Sequence, residues 1–554
     1  MTTPPEDLRQ RAQTKNRFTL RAFLGVALVA WGLVMVLPRP YHERNYLIDA
    51  GGCRLQTTVY EPAATMVTGT PASATAPAAD ERGTVVLYQG LAANRKIMAY
   101  LAEGFALEGL RVFVPDLPGH GRTEGPFSAA RAEECSENLV HELRSRGMAQ
   151  PERTILAGHS MGAAIAIRVA AHVPVAGVIA ISPAPMRAMH GVLRDLLLFE
   201  GVPPLPPNAE VISGGLEPAQ MTANARDLLQ PQRDVNSHYD IVPWATHAGL
   251  LWRPEVIRLG QDWAAKILRL DGQKPGADSE GSTGDAGSHR YAVPSRWPLA
   301  GCVLGLMGFF MIAGPFLREA ATVPASNRAA IAEADQVRPI SWWRAVLELL
   351  AVGVLVVVLL RYWQSYRWAR LFEGDYLTAF LLFCGLLLIV VHRDKFVRAF
   401  DFRSLAALKA IFAAIVLFLM FSAWFELSVT EAWLDSTRWQ RFPLLCIALI
   451  PCLVAEEILL GPPGAKGDAK SVGKRVVVAI LYRLVLWLAL LFGMLALHSG
   501  EILLVLLSPY FLFLSIAQRR GMDVVREVTG SAAAAALFGA ILLTGFFLVV
   551  FPLL

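Results

Sequence analysis

Hydrophobic and polar positions along this chain are segregated over tens of residues, and the pattern changes character twice. Residues 1–21 are polar and carry Arg9, Arg11, Lys15, Arg17 and Arg21, after which Phe23 to Leu37 is an uncharged apolar run. From about Tyr46 to Leu270, short β-branched runs alternate with amphipathic stretches of helical period. That alternation predicts an α/β domain, a mostly parallel sheet with crossover helices. Past Trp297 the polar face disappears, and apolar runs recur at about 297–317, 345–360, 376–391, 405–425, 442–460, 476–497, 502–516 and 533–554. Runs of that length approach or match the hydrocarbon thickness of a bilayer, about 30 Å, so the second half is expected to be an all-α bundle of about eight transmembrane helices.

The breaks between patterns set the expected organisation. Leu37 is followed by Pro38-Arg39-Pro40-Tyr41 with no small-x-small cleavage pattern, so 22–38 reads as a retained signal anchor preceded by a cytoplasmic tail, 1–21. Residues 46–270 form the α/β domain, 271–296 a flexible linker rich in Gly, Ser and Asp, and 297–554 the membrane domain. Inside the α/β domain, 63–83 is rich in Ala, Thr, Pro and Ser and reads as a surface loop.

Composition agrees with the pattern: 54% hydrophobic and 18% charged residues in 554 argue against a wholly soluble chain. The net charge of +5 comes with no long basic run interleaved with aromatics, so no nucleic-acid partner is expected. Lys and Arg instead record topology. With a cytoplasmic N-terminus, the segments expected inside (1–21, 318–344, 393–403, 466–475 and 519–526) hold twenty of them, and the short outside loops, 361–370 and 438–441, hold five. The positive-inside rule then puts the α/β domain on the extracytoplasmic side of a bacterial inner membrane. The six cysteines, at 53, 135, 302, 384, 446 and 452, show no metal-ligand spacing, and no metal or cofactor is expected. Cys53 and Cys135, outside the membrane runs, are able to pair in an oxidising compartment.

Chemistry concentrates in the α/β domain. Thr154 to Ala166 runs from an apolar strand directly into a small-residue helix, with Gly158-His159-Ser160-Met161-Gly162 at the junction. This is the G-x-S-x-G nucleophile elbow in strand-turn-helix context, where flanking glycines admit a turn too sharp for a Cβ. Ser160 is the candidate nucleophile, and the Met161 N–H at the helix start is a candidate oxyanion donor. The strand Thr84–Tyr88 ends in Gln89-Gly90-Leu91, which offers the Leu91 N–H as the second donor. Asp116 and His120, in the turn-rich loop after the strand at Arg111–Val114, read as structural.

The segment Thr84–Leu268 resembles the α/β-hydrolase superfamily, and its Pro115-Asp-Leu-Pro-Gly-His-Gly-Arg-Thr-Glu-Gly125 and Gly158–Gly162 stretches resemble the monoacylglycerol-lipase and esterase members. One departure is Gln89-Gly90, where relatives often carry His-Gly. The resemblance implies an acid and then a histidine after the serine. His247, in a loop similar to the family's His-x-Gly-Leu-Leu, is the implied general base, ahead of His238. Glu217, after a strand ending in Gly214-Gly215, is the implied acid, with Asp240 and Asp234 as alternatives. Met186–Phe199 is expected to form one amphipathic helix, a small lid.

Together these readings predict a membrane-integral serine hydrolase cleaving a carboxylic ester of a lipid or other hydrophobic acyl compound. The same triad also serves acyl transfer. A third reading makes the bundle a transporter or scaffold with an appended hydrolase domain. In the bundle, Glu456-Glu457 are expected near the inner interface, paired with Arg483 or Lys474.

Overall fold

The computed structural model describes residues 6–37, 43–61, 83–187, 189, 197–199, 201–229, 236–269, 292–324, 326, 340–363, 367–399, 404–462, 469–497, 503–504 and 507–554. In order, the chain first forms α1 (Glu6–Val36), β1 (Glu43–Ala50), β2 (Cys53–Tyr60), β3 (Thr84–Tyr88), α2 (Ala99–Leu107), β4 (Arg111–Pro115) and α3 (Ala129–Ser145). There follow β5 (Thr154–His159), α4 (Met161–His172), β6 (Gly177–Ile181), β7 (Ala209–Gly214), α5 (Ala219–Asp227), β8 (His238–Val242) and α6 (Pro254–Leu268). The second half is helical: α7 (Trp297–Ala320), α8 (Trp342–Tyr362), α9 (Gly374–Val391), α10 (Arg393–Ala399), α11 (Leu405–Ser428), α12 (Ser436–Leu460), α13 (Ala469–Leu497), α14 (Ser508–Thr529) and α15 (Ala532–Val550). Two compact units result, an α/β unit of residues 38–296 with the short segments 429–431 and 552–554, and a helical unit holding the rest.

In the α/β unit eight strands lie in the order β1-β2-β4-β3-β5-β6-β7-β8. β1 and β2 pair antiparallel, as do β2 and β4, and every later pair is parallel. Every residue of β3, β5 and β6 is buried. This is the expected state of central parallel strands covered on both faces, and it explains why their sequences read as unbroken apolar runs rather than alternating ones. Edge strand β1 is mostly exposed and joins β2 through Gly51-Gly52, both at positive φ (58° and 82°), the backbone a two-residue hairpin demands. A disulfide between Cys53, opening β2, and Cys135, inside α3, joins residues 82 apart with their Cα atoms 5.6 Å from each other.

The loop expected at 63–83 lies, apart from Gly83, outside the described residues, as does the expected linker up to residue 291. So does most of the lid expected at 186–199, and the described residues at its two ends are not helical.

Among the described residues the helical unit holds seven helices long and apolar enough to cross a membrane: α7, α8, α9, α11, α12, residues 473–497 of α13, and α15. The chain is an integral membrane protein. The eighth expected run, 502–516, is not among them. Among the described residues 503–504 are helical and α14 runs from Ser508 to Thr529, so the second half of α14 carries Arg519, Arg520, Asp523 and Arg526 and leaves no sufficiently apolar window in it. The apolar stretch of α1, Leu20–Val36, spans about 25 Å at a rise of about 1.5 Å per residue and belongs to one continuous helix with the polar residues before it. It packs on α7 through small residues: a Cβ on Gly32 would come within 2.6 Å of the Gly301 carbonyl oxygen, and one on Gly308 within 2.5 Å of the Gly25 carbonyl oxygen. Such close backbone contact is how helices associate where lipid removes the hydrophobic drive.

Candidate active site

The turn from β5 into α4 puts Ser160 at φ 55°, ψ −116°, a strained conformation for a residue with a side chain. Its surroundings enforce it. A Cβ on Gly158 would lie 2.3 Å from the Gly162 backbone, and one on Gly162 would lie 2.2 Å from the Tyr88 carbonyl oxygen, so both flanking glycines are sterically required. The Ser160 N–H donates to the Ile181 carbonyl (3.0 Å) and the Ala184 N–H donates to the Ser160 carbonyl (2.9 Å), tying the elbow to the exit of β6. Met161 is the first residue of α4, where the N–H has no partner within the helix. The Gln89-Gly90-Leu91 loop runs against the same spot: a Cβ on Gly90 would lie 3.3 Å from Ser160 Cβ. Gln89 is wholly buried. With its amide in the bonding orientation it donates to the Pro115 carbonyl (2.7 Å) and accepts from the Leu117 N–H (2.8 Å), anchoring this loop to the one after β4.

Asp116 and His120 have structural partners in that second loop. Asp116 is fully buried, pairs with Arg95 and accepts from the Arg95 (2.8 Å) and Arg122 (3.1 Å) amides. His120 Nδ1 lies 3.1 Å from the Pro118 carbonyl, and its ring stands edge-on to Phe127.

On the other side of the elbow, His247 Nδ1 donates to Glu217 Oε1 at 2.6 Å. The Gly-rich turn after β7 makes this possible, because a Cβ on Gly214 would lie 2.4 Å from the Ala245 carbonyl of the His247 segment. Glu217 also accepts from the Gly214 N–H (2.7 Å) and from the Ser182 hydroxyl. Burial alone would raise the Glu217 carboxyl, but the bonds from His247, Ser182 and Gly214 outweigh it and hold the group below its ordinary pKa, ionised. Ser182 Oγ is also 2.8 Å from His247 Nδ1. The ring of His159, the residue before Ser160, lies 4.7 Å from that of His247. Burial first and the His247 ring second push His159 down to about 3, so it is neutral, and its Nε2–H donates to the His247 carbonyl (2.9 Å).

His247 and Glu217 are therefore in direct contact and His247 packs beside the elbow, while Ser160 Oγ makes no hydrogen bond to His247 among the described residues. Asp240 lies instead beside Glu210, which burial and then Asp240 push up to about 9. Asp234 lies outside the described residues, and His238 is exposed on β8. Three contributors escaped sequence reasoning: Ser182, His159 and Gln89. Ser182 had one local signal, its position at a strand end before Pro183, where it adopts φ 44°.

Residues 79–244 match the family model described as serine aminopeptidase, S33. No curated protein matches the chain. Among solved structures it is similar to a CIB-like hydrolase from Thermoplasma acidophilum, at 16% identity over 41% of this chain and 99% of that one, TM-score 0.30. It is also similar to a lidless serine hydrolase from Xanthomonas campestris, at 18% identity over 42% and 96%, TM-score 0.31. A third is a soluble variant of monoglyceride lipase from Saccharomyces cerevisiae, at 13% identity over 42% and 97%, TM-score 0.30. The mostly parallel sheet and the strand-turn-helix serine give the α/β unit the α/β-hydrolase fold, with 79–244 similar to the serine aminopeptidase family, on a chain with a helical membrane domain.

Proposed function

We propose that the protein hydrolyses a carboxylic ester of a lipid or other hydrophobic acyl compound, with Ser160, His247 and Glu217 as its catalytic triad. The observation that carries this reading is the 2.6 Å bond from His247 to a buried, ionised Glu217 beside a serine on a strained strand-helix turn. Glu217 fixes the tautomer that leaves His247 Nε2 free to take the Ser160 proton as Oγ attacks the ester carbonyl. The Leu91 and Met161 amides hold the oxyanion, the imidazolium protonates the leaving alcohol, and water activated by His247 releases the acid from the acyl-enzyme. Hydrogen bonds between nucleophile and base commonly tighten only when substrate is bound, so this reading does not require Ser160 Oγ to bond His247 in the free enzyme. The membrane domain favours an acyl substrate that partitions into lipid.

The reading extends to topology, with tail 1–21, anchor 22–38, hydrolase domain 46–270, linker 271–296 and membrane domain 297–554, and the hydrolase domain outside the cytoplasm. Two independent observations support that side: seventeen Lys and Arg, leaving out the three within α14, on the segments expected inside against five on the short outside loops, and the Cys53–Cys135 disulfide, a bond that persists in oxidising compartments.

The test is turnover by the detergent-solubilised full chain of p-nitrophenyl esters of increasing acyl length, with aminoacyl p-nitroanilides as the peptidase arm. Long-chain ester cleavage that falls roughly a thousandfold or more in Ser160→Ala and in His247→Ala is expected. Undiminished turnover in Ser160→Ala removes the triad, and cleavage of the anilides alone removes the ester substrate.

A further inference from the structure

Glu456 takes the expected Arg483 as its partner (2.9 Å) and Glu457 takes Arg519 (2.6 Å), each within the helices around it. Thr430 and Glu431 behave differently. They lie between α11 and α12 in sequence but belong to the α/β unit, and their partners there are distant in the chain. Asn94 Nδ2 donates to Thr430 Oγ1 (2.8 Å), 336 residues away, and to the Glu431 carbonyl (3.4 Å). The Arg95 guanidinium sits between two carboxylates, with Glu431 Oε1 at 2.6 Å from one nitrogen and Asp116 paired with another, while its Nε donates to Thr58 (2.9 Å). The Arg95 and Glu431 side chains are both almost wholly buried.

Asn94 and Arg95 directly follow the turn that carries the candidate oxyanion donor Leu91. The Ala93 N–H donates to the Gly90 carbonyl (3.2 Å), which makes Leu91 and Ala92 the central residues of a β-turn. Ala92 stands at φ 60°, and backbone strain of this kind persists only where the surroundings over-determine it. Both ends of the turn are held. Before it, Gln89 bonds to Pro115 and Leu117 in the loop after β4. After it, Asn94 and Arg95 are gripped by Thr430 and Glu431, and the Arg95 amide donates to Asp116 of that same loop (2.8 Å). The two anchors therefore meet at Asp116, and Glu431 closes the ring from outside.

We infer that Glu431, with Thr430, is a positioning residue for ester hydrolysis: by gripping Arg95 and Asn94 the pair fixes the Gly90–Ala93 turn and with it the direction of the Leu91 N–H. The inference rests on the reading of Ser160 as nucleophile and Leu91 as oxyanion donor. Outright loss of one such donor costs roughly 10²–10³ in rate, and a displacement of about 1 Å costs on the order of a hundredfold. Burial and then the Asp116 carboxylate push the Glu431 carboxyl above its ordinary pKa. With Glu431 truncated, Asp116 still matches Arg95, so no buried charge is orphaned and the perturbation is one of position rather than of fold.

The test compares the parent, Glu431→Ala, Glu431→Gln and Thr430→Val as full chains in detergent, well below their unfolding midpoints, with a long-chain p-nitrophenyl ester as substrate and a long-chain alkylboronic acid as inhibitor. The boronate forms a tetrahedral adduct on Ser160 with an oxygen in the place of the oxyanion, so its affinity reports the donors, whereas KM reports the ground state. In Glu431→Ala, kcat should fall roughly tenfold to a hundredfold and boronate inhibition weaken in parallel, with KM within about twofold of the parent. Glu431→Gln, which keeps an oxygen towards Arg95, should recover most of the loss, and Thr430→Val, which takes the acceptor from Asn94, should show the same pattern more weakly. A purely structural role would lower the unfolding midpoint and leave kcat and boronate affinity of the folded protein unchanged. Parent-like kcat and boronate affinity in folded Glu431→Ala, or in Thr430→Val should Glu431→Ala fail to fold, overturns this inference alone. A parent without Ser160-dependent turnover removes the triad, and this inference with it.

Discussion

Removing the Cys53–Cys135 bond by the double substitution Cys53→Ala, Cys135→Ala gives the most quantitative test of the α/β unit. The bond closes a loop of 82 residues between the first hairpin and α3. On the chain-entropy model, a loop of that length withholds about 15 cal/mol/K from the unfolded chain, about 4.5 kcal/mol at 25 °C. A domain stability of roughly 5–15 kcal/mol makes that a large fraction of the total. Both sulfurs are buried, so the small loss of side-chain volume acts in the same direction. For a unit of this size each kcal/mol shifts the midpoint by about 2–4 °C, which predicts a fall of roughly 10 °C in the Tm of the α/β transition. The assay is scanning fluorimetry of the full chain in detergent, run for parent and variant with and without dithiothreitol. Reductant should move the parent towards the variant and leave the variant where it is. A variant within about 2 °C of the parent would refute the loop-closure reasoning.

Three further outcomes follow from the geometry. Glu210, ordinarily titrating near 4.5, is held up to about 9, so it stays protonated in the fold while the unfolded chain ionises. Its contribution is intact below about 4.5 and is lost as pH rises towards 9, at up to about 1.4 kcal/mol per pH unit; Glu210→Gln, which keeps a donor towards Asp240, should flatten the fall in Tm between pH 5 and 8.5, and an unchanged slope counts against the assignment. Ser182→Ala removes a donor from Glu217 and leaves a more basic carboxylate beside His247. Its kcat should drop roughly tenfold and the acid limb of its kcat/KM profile move to higher pH, whereas a purely structural loss would lower the rate and leave the limb in place. Gly162→Ala drives a Cβ to 2.2 Å from a backbone oxygen, and should cost about 1–3 kcal/mol and abolish esterase turnover, with parent-like turnover the contrary result.

What the sequence made legible was local. The elbow is five consecutive residues whose glycines are demanded by backbone contacts within β5 and α4 and with the adjacent β3, so motif and geometry coincide at Ser160. The β3, β5 and β6 runs are continuous because the sheet buries them on both faces. The contacts that complete the site are long-range. Ser182 meets Glu217 and His247 across separations of 35 and 65 residues, and nothing near Ser182 in sequence announces either partner. Asp240 and Glu217 both follow β7 in the chain, and only the register of β7 on β8 sets Asp240 opposite Ile212, beside Glu210 rather than His247. In the membrane half, hydropathy finds helices whose whole length is apolar. Of the expected run 502–516, α14 takes the part from Ser508 onward and goes on to bury Arg519 and Arg526 against Glu456, Glu457 and Asp523, pairings that hydropathy does not register.

The central claim is that Ser160 is a nucleophile activated by His247 and Glu217. Its most direct test is covalent capture: the full chain treated with a fluorophosphonate and mapped by mass spectrometry. A phosphonyl adduct on Ser160, absent in Ser160→Ala and at least a hundredfold slower to form in His247→Ala, is the predicted result. A correctly folded parent that takes up no label at Ser160, or labels equally fast without His247, would contradict it.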